Sequence, residues 1–432
     1  MTKQNRHWII VFGIFGLMSI KFYFLYKANL QNAYAMESAY NGADAGHYLT
    51  IGKNIADFNV YSDNNSSIAS EGATWRPPFW PFVLSVLFRI SANPLHLILL
   101  KSVLESGLIL GLLLQFKKQT KLKLLGFAPF FLLFIEPTYL KYATTFLSES
   151  MTAILMLFLV YQFINLDNNK RYHIAIPILS AFVVLCHPVS AFFVLSLFLI
   201  YLLANLKANF SVALVHGLLF SVLFLAWPCR NYFTFHKGFY LTASQGATFS
   251  KGWNEKVSKE FTNVEGDAAD ETLNLKFLHN PDLNTTTIGG LELSKLYTEG
   301  TKNYIASISL QEKLKIVLIK LKSNFNPFPE KPKPEFLDTL AIFFRILYLF
   351  TFFQLIYRLF KKPNFSFNST KDKVYLVVLS VLIGQVMMSI YVYTGLRFNA
   401  IYSLTMLFCF IYLNIDYFIQ KALKFNSNLQ LK

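Results

Sequence analysis

Long apolar runs alternate with shorter polar segments along most of this chain. Runs of roughly 20 apolar residues recur, which is the length that a helix needs to cross a hydrocarbon core about 30 Å thick. We therefore predict an all-α polytopic membrane protein with about ten transmembrane helices. The predicted spans are 8–26, 95–116, 122–139, 147–166, 173–188, 190–206, 208–228, 338–360, 373–393 and 399–419.

A shorter apolar segment, 79–92, decides the topology. It contains Pro81 and Arg89 and is shorter than a membrane-crossing helix. If this segment crossed the membrane, the lysines at 117–123 would lie on the outer side. If it lies at the interface, the basic loops all lie on the cytoplasmic side, which is where juxtamembrane Lys and Arg are normally found. We therefore predict an interfacial helix with Trp75 and Trp80 near the lipid headgroups, and cytoplasmic termini.

This topology divides the chain into three parts. We predict an N-terminal catalytic transmembrane module, 1–228, whose first outer loop is 27–94. An extracytoplasmic loop, 229–337, and C-terminal transmembrane helices, 338–432, follow. Within the second loop, 310–321 is amphipathic and basic, which is typical of a helix that lies on lipid.

Composition agrees with this class. Of the 432 residues, 54% are hydrophobic and 15% are charged, against about 25% charged in soluble domains. The net charge of +16 does not indicate nucleic-acid binding, because the basic residues lie mostly in short loops between spans. The three cysteines have no paired spacing, and no Walker-type loop or HExxH motif is present, which argues against a nucleotide-driven pump.

Two carboxylates on the predicted outer side are candidates for chemistry. Asp44, in the first outer loop, could act as a general base at the lipid–water boundary or could simply cap a helix. Glu149 opens the fourth span, where it could face Asp44 or merely complement the helix dipole. Inside the apolar runs, Lys101 and Glu105 stand one helical turn apart and could pair.

Basic side chains cluster on the same predicted side. Four of them lie where orientation of the spans does not require positive charge: Arg76, Lys141, Arg230 and Arg397. Arginine donates two hydrogen bonds at once to phosphate oxygens, so these residues could bind a phosphate. The alternative for each is a side chain that reaches from a span end toward water. His47 and His187 could join the group or be structural.

The order of several short motifs resembles the GT-C superfamily of membrane glycosyltransferases. The nearest group is the bacterial branch akin to protein mannosyltransferases and lipid A aminoarabinose transferases. The matching segments, after Asp44, are RPPFWP at 76–81, EP at 136–137, LSE at 147–149, AWPCRNY at 226–232, SQGAT at 244–248, GWN at 252–254 and GLRF at 395–398. The first-loop acid is followed by Ala45, where many members have a second acid.

The resemblance implies an inverting transferase that moves a sugar from a polyprenyl-phosphate donor to an extracytoplasmic lipid, glycan or protein. It implies that Asp44 activates the acceptor and that the donor phosphate is bound by Arg76, Arg230, Arg397 and Lys141. It also implies that the acceptor or a divalent metal is oriented by Glu149, His47, His187 and Tyr48. Some members use a metal and others do not. The expected place is a bacterial inner membrane, with the site on its periplasmic face.

Two other functions fit an apolar chain of this kind. A transporter or lipid flippase would explain the acids inside apolar runs, but it predicts an inverted repeat and paired broken helices, which the sequence lacks. A non-catalytic membrane scaffold would use its outer loop to bind a partner. It leaves the grouping of acids and arginines on one side unexplained.

Overall fold

The fold is described from a computed structural model. The described residues are 23, 43–64, 67–120, 127–166, 174–259, 270–278, 288–326, 336–393 and 396–417. The predicted span 8–26 (apart from Tyr23) and the first part of the outer loop, 27–42, lie outside them. Regular secondary structure within the described ranges is entirely helical. This confirms the all-α class.

The α-helices are numbered here in chain order. They are α1 Ala43–Phe58, α2 Phe79–Ile90, α3 Pro94–Thr120, α4 Pro137–Ala143, α5 Glu149–Ile164, α6 Ala175–Cys186, α7 Ala191–Ala208, α8 Phe210–Phe235, α9 Gln245–Gly252, α10 Glu255–Lys259, α11 Gly290–Ser307, α12 Leu310–Phe325, α13 Phe336–Lys361, α14 Thr370–Tyr391 and α15 Leu396–Leu413. Within the described residues, five helical segments are long and apolar enough to cross a membrane: Pro94–Lys118, Pro188–Leu206, Phe210–Phe235, Thr339–Lys361 and Thr370–Tyr391. The chain is therefore an integral membrane protein.

Helices α5 and α15 form the centre of the bundle. Nearly every residue of α5 is buried, and α15 is buried continuously from Ala400 to Cys409. The two helices pack along one another, with α3, α6, α13 and α14 around them. Aromatic rings fill the space between, such as Phe116 against Phe130 and Phe408. A helix that is apolar on all sides is stable when protein or lipid surrounds it, and here the neighbouring helices bury both α5 and α15.

The stretch predicted as the span 122–139 is not one helix in its described part. A 3₁₀ helix, Ala128–Ile135, ends at Glu136, and α4 begins at Pro137. Proline has no N–H to continue the preceding helix, and the Glu136 carboxylate accepts a hydrogen bond from the Tyr139 backbone N–H at 2.5 Å instead. Glu136 also accepts from the Tyr348 hydroxyl at 2.8 Å. The acid in this apolar run therefore caps a helix start.

Segment 79–92 forms the helix α2, whose 12 residues give a length of about 18 Å. This is too short to cross a bilayer, as predicted. The prediction that Trp80 lies near the headgroups is wrong. Its side chain is fully buried, and its indole N–H donates to the Phe146 carbonyl at 2.6 Å. Trp80 anchors α2 to the turn before α5, and α2 also packs against α1.

Helices from 245 to 325 form a layer over the ends of the bundle where α5 and α15 begin. Helix α9 packs against α11, and α12 packs against α14. On α12, Ile316, Lys320 and Asn324 are buried, whereas Leu310 and Leu318 are exposed along the opposite face. The sequence predicted this amphipathic helix, and its inner face holds the layer on α14.

Lys101 and Glu105 form the buried pair that their spacing predicts. The Lys101 ammonium lies 2.8 Å from the Glu105 carboxylate, and both side chains are fully buried in α3. We expect Lys101→Met to lower the free energy of unfolding by about 3–5 kcal/mol, because it leaves a buried carboxylate without its cation. Lys53→Met, at an exposed position on α1, is the matched control.

Thermal unfolding in detergent measures both variants. The double variant Lys101→Met/Glu105→Leu should recover part of the loss, since it removes the unpaired charge together with its partner. Equal melting temperatures for Lys101→Met and Lys53→Met would contradict the prediction.

Candidate active site

A cavity of about 240 Å³ lies at the end of the bundle where α5 and α15 begin. Part of its wall is charged and part is apolar and aromatic, so the cavity is amphipathic. The lining residues come from five separate parts of the chain, and they include Asp44, Tyr48, Trp75, Arg76, His187, Phe192, Gln245, Thr248, Met388, Tyr391, Tyr393 and Arg397.

Asp44 stands between two arginines on the charged side. One carboxylate oxygen accepts from Nη2 of Arg76, and the other lies 2.6 Å from Nη2 of Arg397. Asp44 belongs to the first turn of α1, and Arg397 belongs to the first turn of α15. Arg76 precedes Pro77, which disfavours helix and gives Arg76 an extended backbone (φ −109°, ψ 141°).

Each guanidinium is also held from behind, away from the cavity. The Nε of Arg397 donates to Glu149, and the Nε of Arg76 donates to Nδ1 of His47 at 3.1 Å. Neither Glu149 nor His47 lines the cavity. Asp44 therefore contacts both arginines from the front, and the other two groups fix them from the back.

The support behind Arg76 continues away from the cavity. Since Nδ1 of His47 accepts from Arg76, its proton is on Nε2, which faces the Asp63 carboxylate at 3.3 Å. That hydrogen bond helps to lower the pKa of Asp63, which also accepts from Ser70. His47 is thus a positioning residue between Asp63 and Arg76.

Tyr48 links α1 to the start of α5. Its ring lies against the Arg76 guanidinium, 5.4 Å from the ring centre, and its hydroxyl is 3.2 Å from the Ser148 hydroxyl. Burial raises the pKa of Tyr48, so the phenol stays protonated and can donate. His187 lines the cavity nearby, with its Nε2 3.7 Å from Glu149, an ion-pair distance and too long for a hydrogen bond.

The arginines determine the charge of Asp44. Burial alone would raise the pKa of its carboxyl, but the positive charges of Arg76 and Arg397 outweigh burial and hold the pKa well below its usual value. Asp44 is therefore ionised at neutral pH. A carboxylate paired in this way is also a weak proton acceptor for as long as both arginines contact it.

Arg230 does not reach this cavity, contrary to the prediction that it joins Arg76 and Arg397. It lines a separate groove of about 460 Å³ between α1, α2, α6 and α8. Its guanidinium lies over the rings of Tyr61 and Trp227, at 5.5 and 5.0 Å from the ring centres. Lys141 is not in the cavity wall either: its side chain is exposed on α4.

The described residues contain no group of three or more His, Cys, Asp or Glu side chains that could hold a metal. Glu149, the one carboxylate expected to orient a metal, accepts a hydrogen bond from Arg397 instead, and Asp44 also pairs with Arg397. The described side chains therefore do not fit a preformed divalent-cation site.

The wall contains residues that the candidate set omitted. Gln245 and Thr248 belong to the SQGAT segment, to which the sequence alone assigned no role, and Tyr391 and Phe192 belong to apolar runs. Lys320 is a further omission: it is fully buried and donates to the Val392 carbonyl at 3.1 Å, beside the cavity. Its only sequence signal was its place on an amphipathic helix.

Comparison with known protein families, with curated proteins and with solved structures gives no match for this chain. The site must therefore be interpreted from its own geometry.

Arg397 and Arg230 offer a matched test of the ion network, since both are half-buried. Arg397→Gln should lower the free energy of unfolding by about 3–5 kcal/mol, because it leaves Glu149 buried without a guanidinium. Arg230→Gln should cost about 1 kcal/mol, because in the described structure it loses only ring contacts and a hydrogen bond to Asn231. Thermal unfolding in detergent checks this, and equal losses would disprove the difference.

The buried Lys320 side chain should make the stability of the fold depend on pH. Burial lowers the pKa of Lys320 to about 7 from an ordinary 10.5, so between these values the unfolded chain binds a proton that the folded chain does not. Stability should therefore rise with pH from about 7 to 10.5, and the rise should shrink in Lys320→Met. Lys322→Met, at an exposed position on α12, should keep the wild-type slope in melting curves at pH 7 and 9.5.

Proposed function

We propose that this protein transfers a sugar, with inversion, from a polyprenyl-phosphate donor to an extracytoplasmic lipid, glycan or protein acceptor. The observation that supports it is the amphipathic cavity in which Asp44 lies between Arg76 and Arg397. The proposed setting is the periplasmic side of a bacterial inner membrane.

The charged wall suits the donor phosphate. The two guanidinium groups converge on one point from separate parts of the chain, the loop before α2 and the start of α15, and their planar forks match a tetrahedral phosphate. Held by Glu149 and His47, they need little rearrangement as negative charge grows on the departing phosphate. Such fixed electrostatic stabilisation is commonly the largest contribution to catalysis.

The apolar wall suits the isoprenoid chain. Phe192, Met388 and Tyr391 also line the cavity, and α7 and α14, which supply them, include segments long enough to cross a membrane. A water-soluble nucleotide sugar has no long apolar chain to place on this surface. A lipid-linked donor would place its chain here and its phosphate at the arginines.

In the proposed reaction, each bond that forms is matched by a bond that breaks. An acceptor hydroxyl or amine attacks the anomeric carbon from the face opposite the phosphate, and the bond from that carbon to the phosphate oxygen breaks. The bonding electrons leave with polyprenyl phosphate, whose new charge lies beside Arg76 and Arg397. The acceptor proton passes to the carboxylate of Asp44, which is the general base.

Asp44→Asn tests the proposal. In membranes given labelled polyprenyl-phosphate sugar and a panel of lipid, glycan and protein acceptors, we expect transfer to fall by about 10²–10⁴-fold, the usual contribution of a placed base. Asp57→Asn, at an exposed position on the same helix, should transfer at the wild-type rate.

The control for correct folding is separate from the results that would contradict the proposal. Monodisperse elution and a wild-type melting profile establish that each variant is inserted and folded. Equal transfer by the wild type and Asp44→Asn removes Asp44 from the role of base. If the wild type transfers sugar to none of the acceptors, the proposed reaction is contradicted.

A further inference from the structure

Asp44 differs from the other members of the ion cluster in its exposure. About 25% of its side chain is exposed, against 16% for Arg76, 14% for Arg397 and none for Glu149. It is also the carboxylate that contacts both guanidinium groups. It therefore occupies the position where an incoming anion would meet both arginines.

The arginines do not depend on Asp44 for their positions. If Asp44 moved away, Arg397 would still donate to Glu149, and Arg76 would still donate to His47 and contact the ring of Tyr48. The cluster thus has a fixed back and an exchangeable front. A buried guanidinium left without any acceptor would be costly, and this arrangement avoids that state.

The charge balance permits exchange and opposes simple addition. Two guanidinium charges are matched by the two carboxylates of Asp44 and Glu149. Adding a phosphate to this neutral cluster would leave an unmatched negative charge in a partly buried site. Replacing Asp44 with a phosphate diester of one negative charge keeps the cluster neutral.

We propose that Asp44 is an internal anion that occupies the donor phosphate's place between Arg76 and Arg397, and that donor binding releases it to act on the acceptor. This inference rests on the proposed function in taking a polyprenyl phosphate as the ligand. It adds an order of events: the base becomes effective only after the donor is bound.

The release changes what Asp44 can do. The charged and titratable groups that face it are Arg76, Arg397 and Tyr48, with Glu149 and His47 behind the arginines. With both guanidinium groups bound to phosphate, burial dominates, and the pKa of Asp44 rises from its depressed value. Asp44 then accepts a proton readily, and without donor it does not activate water or acceptor.

The test is a binding measurement, so it does not depend on sugar transfer. A fluorescent polyprenyl monophosphate is titrated into wild type, Asp44→Asn and Asp57→Asn in detergent at about pH 5, where the monoester carries about one negative charge as the donor diester does. The matching polyprenol is the uncharged probe. Asp44→Asn, which inactivates the base, should bind the phosphate about tenfold tighter or more, a difference of about 1.4 kcal/mol. Asp57→Asn should match the wild type, and polyprenol affinity should be the same in all three.

Unchanged or weaker phosphate binding by Asp44→Asn overturns the inference. A measurement on the wild type covers the case in which that variant does not fold: in protein labelled with carboxyl-¹³C aspartate, polyprenyl monophosphate should shift an aspartate carboxylate infrared band, and polyprenol should not. No shift also overturns it. Tighter binding without transfer by the wild type would leave the exchange standing and reject the reaction, so the two failures are distinguishable.

Discussion

The contact on which the site depends is that of Arg397 with Glu149 behind it and Asp44 in front. Glu149 and Arg397 stand in the first turns of α5 and α15, the two helices at the centre of the bundle. A buried guanidinium requires acceptors at fixed positions, so the pair sets how the starts of both helices align. Asp44 then ties α1 to the same point.

Further contacts extend from this point in both directions. Asp63, His47 and Arg76 carry the network into the first loop, and His187 lies beside Glu149 at the end of α6. Tyr48, whose ring lies against Arg76, connects these two sets of contacts, because its hydroxyl lies within hydrogen-bond distance of Ser148, the residue before Glu149. Behind the arginines, the Glu149 side chain is fully buried, whereas those of His47 and Asp63 are partly exposed. The fold thus supports both arginines from behind, while Asp44 contacts them from the front.

Sequence reasoning succeeded where one residue or one periodicity carries the information. The length of the apolar runs predicted a helical membrane protein. The predicted topology placed the acids and arginines on one side of the membrane, and Asp44, Arg76 and Arg397 do line one cavity. It failed where tertiary contacts decide. Arg230 stacks on aromatic rings from α8 and the first loop, and Trp80 is buried against the turn before α5. Neither set of contacts is marked by spacing along the chain.

The surroundings of the ion cluster favour chemistry at one end of the bundle over conduction through it. Directly below Glu149 and Arg397, α5 and α15 bury Ile154, Leu157, Leu404 and Leu407 completely in the aromatic core. The polar side chains that these two helices bury at this level are uncharged, such as Thr152, Ser403 and Thr405, so a charged solute that passed along them would lose hydration and meet no ion partner on them. The same apolar floor limits water around the cluster, which strengthens every charge interaction in it. An ion cluster placed over an apolar floor and beside an apolar wall is suited to a ligand that is itself part anion and part lipid.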